Sequence, residues 1–260
     1  MKIDIAMTAT RRPEIIRRTL ESFVNNLFGT TDNLRLIINI DPIGLPINSL
    51  KVVDVVREYF DDIVYNLPEK ADFNTAFRHV LSSCRSDFVF HLQDDWEAMY
   101  PIDFDKMVEI LTTEKDLALL RLSMFASEKD RLVNWDTCSF PWNGNYFECP
   151  YDKQKRFGFC GHPSLIKRKF LDATVPLMNR LHNPENQFHT FFKIVEQIDN
   201  WRYGVFIDPD SPPNVTDIGR EWMIQNKWLK NSDKTHTVWH PGEATPVPAQ
   251  SNITRRRPRK

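Results

Sequence analysis

The sequence predicts one α/β domain built on a mostly parallel sheet, and three observations carry that expectation. Short apolar, β-rich runs at residues 2–7, 34–40 and 88–92 alternate with stretches whose apolar residues recur at helical spacing. The runs LRLIINI and FVFHL are apolar at successive positions, as strands buried on both faces are. At 260 residues the chain can bury a sizeable core, and neither an internal repeat nor a linker divides it.

The elements follow in order. Residues 2–7 form the first strand, which ends at Thr8, and Pro13 stands at a first helical position. Ile16, Leu20, Phe23, Val24 and Leu27 then share one helical face. Residues 34–40 form the second strand, with Asp41 at its end and a Pro/Gly loop beyond it. A helix is expected over residues 50–60, a short strand over 63–65 and a helix over 73–84, leading into the strand at 88–92. Right-handed crossovers would then open the strand ends at Thr8, Asp41 and Asp94 onto one rim. The second half is less regular. It is expected to hold a helix at 103–112, a strand at 118–123 and aromatic-rich loops at 128–156. Strand and turn should follow at 157–169, where Gly158 and Gly161 permit tight backbone geometry. A helix at 184–197, a strand at 203–207 and a helix at 218–230 capped by Asp217 complete the series. Order is expected to fade beyond His240.

Composition narrows the function. Hydrophobic residues at 41% and charged residues at 27% are ordinary for a soluble globular protein. The net charge is −1, from 34 basic and 35 acidic side chains, yet Arg255, Arg256, Arg257, Arg259 and Lys260 all lie in the last six positions. The body alone carries −6, which excludes a uniformly basic nucleic-acid binder but leaves the tail as a contact. Cys84, Cys138, Cys149 and Cys160 lack Cys-x-x-Cys spacing and read as free thiols of a reducing compartment. No signal peptide or membrane span is evident, so a cytoplasmic protein is expected.

The chemistry concentrates at HLQDDWE, residues 91–97. Adjacent carboxylates at the end of a buried strand raise each other's pKa unless a cation shares them. Open α/β sheets bind ligands at the carboxyl ends of their strands. Mg²⁺ or Mn²⁺ held by one or two carboxylates and a substrate diphosphate therefore fits Asp94 and Asp95. The plainer alternative is that one of them caps a following helix.

An ordered set of motifs resembles the GT-A glycosyltransferases, especially the family 2-like inverting enzymes that use nucleotide sugars. The set comprises Thr8-x-x-Arg-x-Pro13, a helix of the form xxLxSFxxN, Asp41 at a strand end and Asn74 opening a helix. HLQDDWE, FGFCGHPSLIKR and NPENQFHTFF complete it, spanning Lys2 to Phe192. The resemblance implies a GT-A domain over residues 1–240, with a nucleotide-binding half at 1–97, an acceptor-side half at 98–240 and a flexible basic tail at 241–260. It implies that Thr8, Arg12 and Asp41 line the base and ribose pocket of a UDP-sugar donor, with Lys70 or Asn74 nearby. The family's Asp-x-Asp metal motif corresponds to Gln93-Asp94-Asp95, with Gln in place of the first acid. Asp95 is then the direct metal ligand, and Asp94 contacts ribose or a metal-bound water. Glu185 matches the catalytic base, His162 a sugar contact, and His236 or His240 a further metal ligand.

Each assignment has a structural alternative. Arg11 and Arg12 also suit a solvated turn, Asp41 the start of the Pro42 turn, and Glu185 the dipole of its helix. A lone His is commonly structural, and Trp135, Trp142, Tyr146 and Phe147 suit either a sugar platform or a packed lid. The acceptor is a glycan or a hydroxymethylated base in DNA. Basic residues at 144–156 and 167–169 are expected on that side, and the tail suits nucleic acid or an anionic surface. A nucleotidyltransferase is the rival enzyme class, weakened because ATRRP contains no Gly-rich phosphate loop. A non-catalytic binding protein of the same fold is the rival outside enzymes, motivated by Gln93 and Asn186.

Overall fold

The computed structural model of the chain describes residues 2–29, 31, 33–124, 140–150, 159, 161–190, 192–232 and 237–241. The first half supplies strands β1 (Ile3–Thr10), β2 (Leu34–Asp41), β3 (Asp62–Asn66) and β4 (Phe88–Gln93). Helices α1 (Pro13–Phe23), α2 (Asn48–Arg57) and α3 (Phe73–Ser83) alternate with them, and one π-helical turn (Val24–Phe28) extends α1. β1 runs parallel to both β2 and β4, and β2 runs parallel to β3. Pro13 opens α1 where its missing N–H has no helical partner to lose. Asp72 caps α3 by accepting from the Asn74 and Thr75 amides.

The second half holds β5 (Trp96–Ala98), α4 (Phe104–Thr113), β6 (Leu117–Leu122), β7 (Phe147–Glu148) and β8 (Ser164–Lys167). It continues with α5 (Arg168–Thr174), a 3-10 turn (Val175–Leu177), α6 (Pro184–Thr190), α7 (Phe192–Ile198) and β9 (Arg202–Phe206). β10 (Val215–Asp217), α8 (Gly219–Gln225), β11 (Trp228–Ser232) and β12 (Thr237–Pro241) close the series. The central sheet has eight strands in the order β3-β2-β1-β4-β8-β6-β9-β7. Only β8 and β7 run against the rest. β5 pairs with β10, and β11 with β12, in two small antiparallel ribbons.

Side-chain alternation along the strands builds the layers. Ile3, Ile5, Met7 and Ala9 of β1 join Leu36, Ile38 and Ile40 of β2 and Phe90 and Leu92 of β4 under α1, α2 and α4. Ala6, Ile37 and Val89 point to the other face, where Phe77, Val80, Phe170, Phe188 and Ile194 from α3, α5, α6 and α7 cover them. Helices on both faces explain why these strands are apolar at successive positions.

Three expectations change. The helix expected at 218–230 ends at Gln225, and Trp228–Ser232 instead form a strand that pairs antiparallel with β12. No helix follows Asp94 and Asp95, which form a turn into β5, so neither caps one. Lys167, Arg168 and Lys169 do not reach the rim. β8 is antiparallel to β4 and pairs Lys167 with Phe88, at the opposite end of the strand from Gln93. Trp135, Cys138, Cys160, Gly158, His236, residues 151–156 and the tail from 242 lie outside the described residues.

Candidate active site at the rim of the sheet

The carboxyl ends of β2, β1 and β4 lie side by side. Register pairs Thr10 with Asp41 and Thr8 with both Asn39 and Gln93. Asp94 continues this line, its amide donating to the Thr8 carbonyl at 3.1 Å. The buried Asp94 carboxylate accepts from the Thr10 amide at 2.8 Å, the Thr10 hydroxyl at 3.1 Å and Arg12 Nη2 at 2.6 Å. Arg12 Nη2 also lies 3.2 Å from Asp95 Oδ2. Arg12 is only 1% exposed, so the alternative of a solvated turn residue fails and the side chain is an internal counter-ion. Its guanidinium carbon sits 5.2 Å from the Trp222 ring centroid, an arrangement that suits a desolvated cation.

Electrostatics accounts for the arrangement. Burial works against the Arg12 charge, but Asp94 and Asp95 outweigh it and raise the Arg12 pKa. Burial pushes the Asp94 carboxyl upward, and the Arg12 charge opposes that push. The guanidinium is what makes an ionised Asp94 tolerable at this depth, and removing one partner from such a buried pair typically costs about 3–5 kcal/mol. Asp41 is buried at the next strand end, where desolvation raises its pKa to about 6 despite a 2.8 Å hydrogen bond from Asn39 Nδ2.

Two glycines show how closely other elements approach this rim. A Cβ on Gly161 would lie 2.2 Å from Glu185 Oε1 and 2.5 Å from Gln93 Nε2, so the α6 carboxylate and the last side chain of β4 meet over one backbone position. The Gly161 amide donates to Glu185 Oε1 at 2.6 Å. Asn183 orients the same helix by accepting from the Glu185 amide at 3.0 Å. On the other side, a Cβ on Gly219 would lie 2.3 Å from Asp95 Oδ2. The β5–β10 pairing brings α8 there, and the Ile218 amide donates to the Asp95 carbonyl at 2.8 Å.

The remaining candidates are spread around this centre. Thr8 is buried in β1, and Lys70 is exposed in the loop between β3 and α3. Asn74 is buried, and its Nδ2 donates to the Arg180 carbonyl at 3.2 Å, tying α3 to the segment before Glu185. His162 follows Gly161, with its ring 5.3 Å from that of Trp96. The His240 backbone pairs with Leu229, and its side chain lies outside the described residues. Of the aromatic insert, Tyr146 is buried in the core, and Trp142 packs on Phe147 with centroids 5.0 Å apart.

The donor set decides what a metal could use. Asp94 has both oxygens engaged by Arg12 and Thr10 and does not fit as a ligand. Asp95, with 19% of its side chain exposed, fits as one carboxylate ligand of a hard cation that draws its other oxygens from a diphosphate and water. Among the described residues no three His, Cys, Asp or Glu side chains form a metal-binding group. Sequence reasoning singled out neither Trp222 nor Gly219 and read Gln93 only as a missing acid. Nothing local to those residues marks them, because only the tertiary fold brings them to the rim.

No protein-family profile matches the chain, and no curated protein matches its sequence. Solved structures do match. Staphylococcus aureus TarS 1–349 shares 12% identity, with 86% of this chain and 63% of that chain covered and a TM-score of 0.52. The same protein in complex with UDP-GlcNAc gives 13%, 83%, 58% and 0.54. The mannosyltransferase PcManGT from Pyrobaculum calidifontis, in complex with GDP-Man and Mn²⁺, gives 12%, 86%, 60% and 0.51. The chain carries the GT-A fold. It spans about 60% of the length of these GT-A structures, and the likeness is one of fold. Among the described residues no helix is long and apolar enough to cross a membrane.

Proposed function

We propose that the chain is a glycosyltransferase that moves a sugar from a UDP-sugar to an acceptor hydroxyl with inversion at the anomeric carbon. The observation that carries this reading is the meeting of Glu185 with Gln93 at the strand end that also bears Asp94 and Asp95. A lone carboxylate with one oxygen held by the Gly161 amide keeps its second oxygen for a proton. In this reading Glu185 takes the acceptor hydroxyl's proton as that oxygen attacks the anomeric carbon. The bond from that carbon to the diphosphate breaks on the opposite face, and UDP leaves.

Thr8 and Asp41 lie on the base and ribose side of the donor, with Lys70 flanking the same end. His162 faces the transferred sugar, and Asn74 positions the Glu185 segment through Arg180. Asp95 would hold the divalent ion, Mg²⁺ or Mn²⁺, with His240 as the second candidate ligand. The ion supplies stabilisation of charge on the departing diphosphate. Arg12 fixes the two aspartates from beneath and is a positioning residue rather than a contact to the base. The acceptor hydroxyl belongs to a glycan or to a hydroxymethylated base in DNA. The buried thiol of Cys84 supports a reducing, cytoplasmic setting.

Titration with UDP and Mn²⁺ beside a transfer assay tests the reading. Asp95→Ala should weaken metal-supported UDP binding. Glu185→Gln should bind UDP nearly as the parent does while turnover falls by roughly 10²–10⁴-fold. Near-normal turnover of Glu185→Gln would place the base elsewhere.

A further inference from the structure

A groove of about 350 Å³ lies between α3 and the segment that follows α5. It is lined by Thr75, Arg78, His79 and Ser82 on one wall and by Val175, Pro176 and Arg180 on the other. Among the described residues no carboxylate lines it. Among the described residues neither Arg78 nor Arg180 has a carboxylate partner. Arg12, Arg17, Arg18, Arg35, Arg57, Arg168 and Arg202 are paired with carboxylates, while Arg11, Arg85 and Arg220 resemble Arg78 and Arg180 in having no carboxylate partner among the described residues. Arginines left unpaired in one recess, on a body whose net charge without the tail is −6, indicate an anionic ligand. Asp72, just before α3, is engaged by the Thr75 hydroxyl at 2.7 Å and by the start of α3.

The groove is joined to the proposed base. Asn74 Nδ2 binds the Arg180 carbonyl, and Gln187 of α6 accepts from the Asn179 amide at 2.6 Å and donates to the His182 carbonyl at 2.9 Å. The wall bearing Arg180 is therefore fastened to the helix that carries Glu185. From Thr75 to Ser82 the α3 wall runs for about 10 Å away from the rim. The guanidinium groups of Arg78 and Arg180, one on each wall, match phosphate oxygens in charge and in fork geometry. The chain also ends in a second basic stretch, Arg255 to Lys260.

We propose that this groove binds the phosphodiester backbone of a nucleic-acid strand and holds that strand beside Glu185. The acceptor role rests on the transfer reaction proposed above, but strand binding does not. The test uses the full chain and a labelled single-stranded oligonucleotide of about a dozen nucleotides, followed by fluorescence anisotropy over a salt series. UDP affinity is measured on the same samples. The parent should bind, and Arg78→Ala/Arg180→Ala should bind at least tenfold more weakly. Its salt slope should be shallower by about 1.4, the equivalent of two single-strand phosphate contacts. UDP affinity should be unchanged, and Arg78→Lys/Arg180→Lys should recover most of the strand affinity, which separates lost charge from a folding defect. No binding by the parent, or equal affinity and slope in the alanine variant, overturns the proposal. So does a variant that loses binding only to anionic phospholipid vesicles. Failure of UDP to bind any of these proteins would instead count against the donor-site reading.

Discussion

Asp41 shows how one side chain can work against the fold that holds it. It lies at the end of β2, and desolvation raises its pKa from 3.8 to about 6. A carboxyl whose pKa rises on folding favours the native state when protonated. That contribution is fully present below pH 4 and is lost as pH rises through 6. At pH 7 the buried charge costs on the order of 2–3 kcal/mol relative to the protonated form. Asp41→Asn keeps an oxygen for Asn39 Nδ2 and removes the charge. Urea denaturation should therefore find the variant more stable than the parent at pH 7, with the difference shrinking toward zero at pH 4. A constant difference across that range would mean that Asp41 ionisation is not the cause. A fold that keeps a destabilising carboxylate at a strand end is consistent with a ligand contact there.

At the scale of elements, the rim is assembled by close backbone approach. α6 and α8 reach it from opposite sides, and each needs a glycine at its closest point. Gly161→Ala would drive a Cβ into the Glu185 carboxylate and the Gln93 carboxamide. Both are ends of flexible side chains, so the chain should still fold while the carboxylate swings aside. Turnover should fall by roughly 10²-fold with UDP affinity close to normal. Gly219→Ala meets the Asp95 side chain down to its Cβ, at 2.7 Å, and should weaken metal-supported UDP binding instead. Measuring UDP affinity and turnover for both variants separates the two effects. Similar losses in both quantities for both variants would show that α6 and α8 do not divide the work this way.

For the whole molecule, donor binding and folding stability are linked. A ligand that binds only the native state at a hundred times its Kd stabilises by about 2.7 kcal/mol. In a chain of this size that corresponds to a rise in Tm of roughly 5–10 °C. UDP with Mn²⁺ should produce that rise in the parent and a smaller one in Asp95→Ala. No shift at saturating UDP would argue against a donor site at the rim. The three-layer architecture gives the reason for a global response: β1 lies between β2 and β4 and contributes to the cores on both faces. Tightening its carboxyl end resists opening of either layer.

By itself the sequence determined the alternation of strands and helices in the first half, because two-sided burial writes itself as unbroken apolar runs. It also determined that Asp41, Asp94 and Asp95 stand at strand ends, since polarity changes abruptly there. The antiparallel insertion of β8, which carries Lys167 away from the rim, was decided only by the tertiary structure. A four-residue strand, SLIK, does not encode its direction. The structure likewise decided that Trp228–Ser232 form a strand, because their pairing partner lies in β12 rather than in their own helical spacing. Arg12 is the clearest case. In the sequence it is one of two arginines in a polar turn. Only the fold places Asp94, Asp95 and the Trp222 ring around it, and those distant groups convert a surface cation into the buried counter-ion of the site.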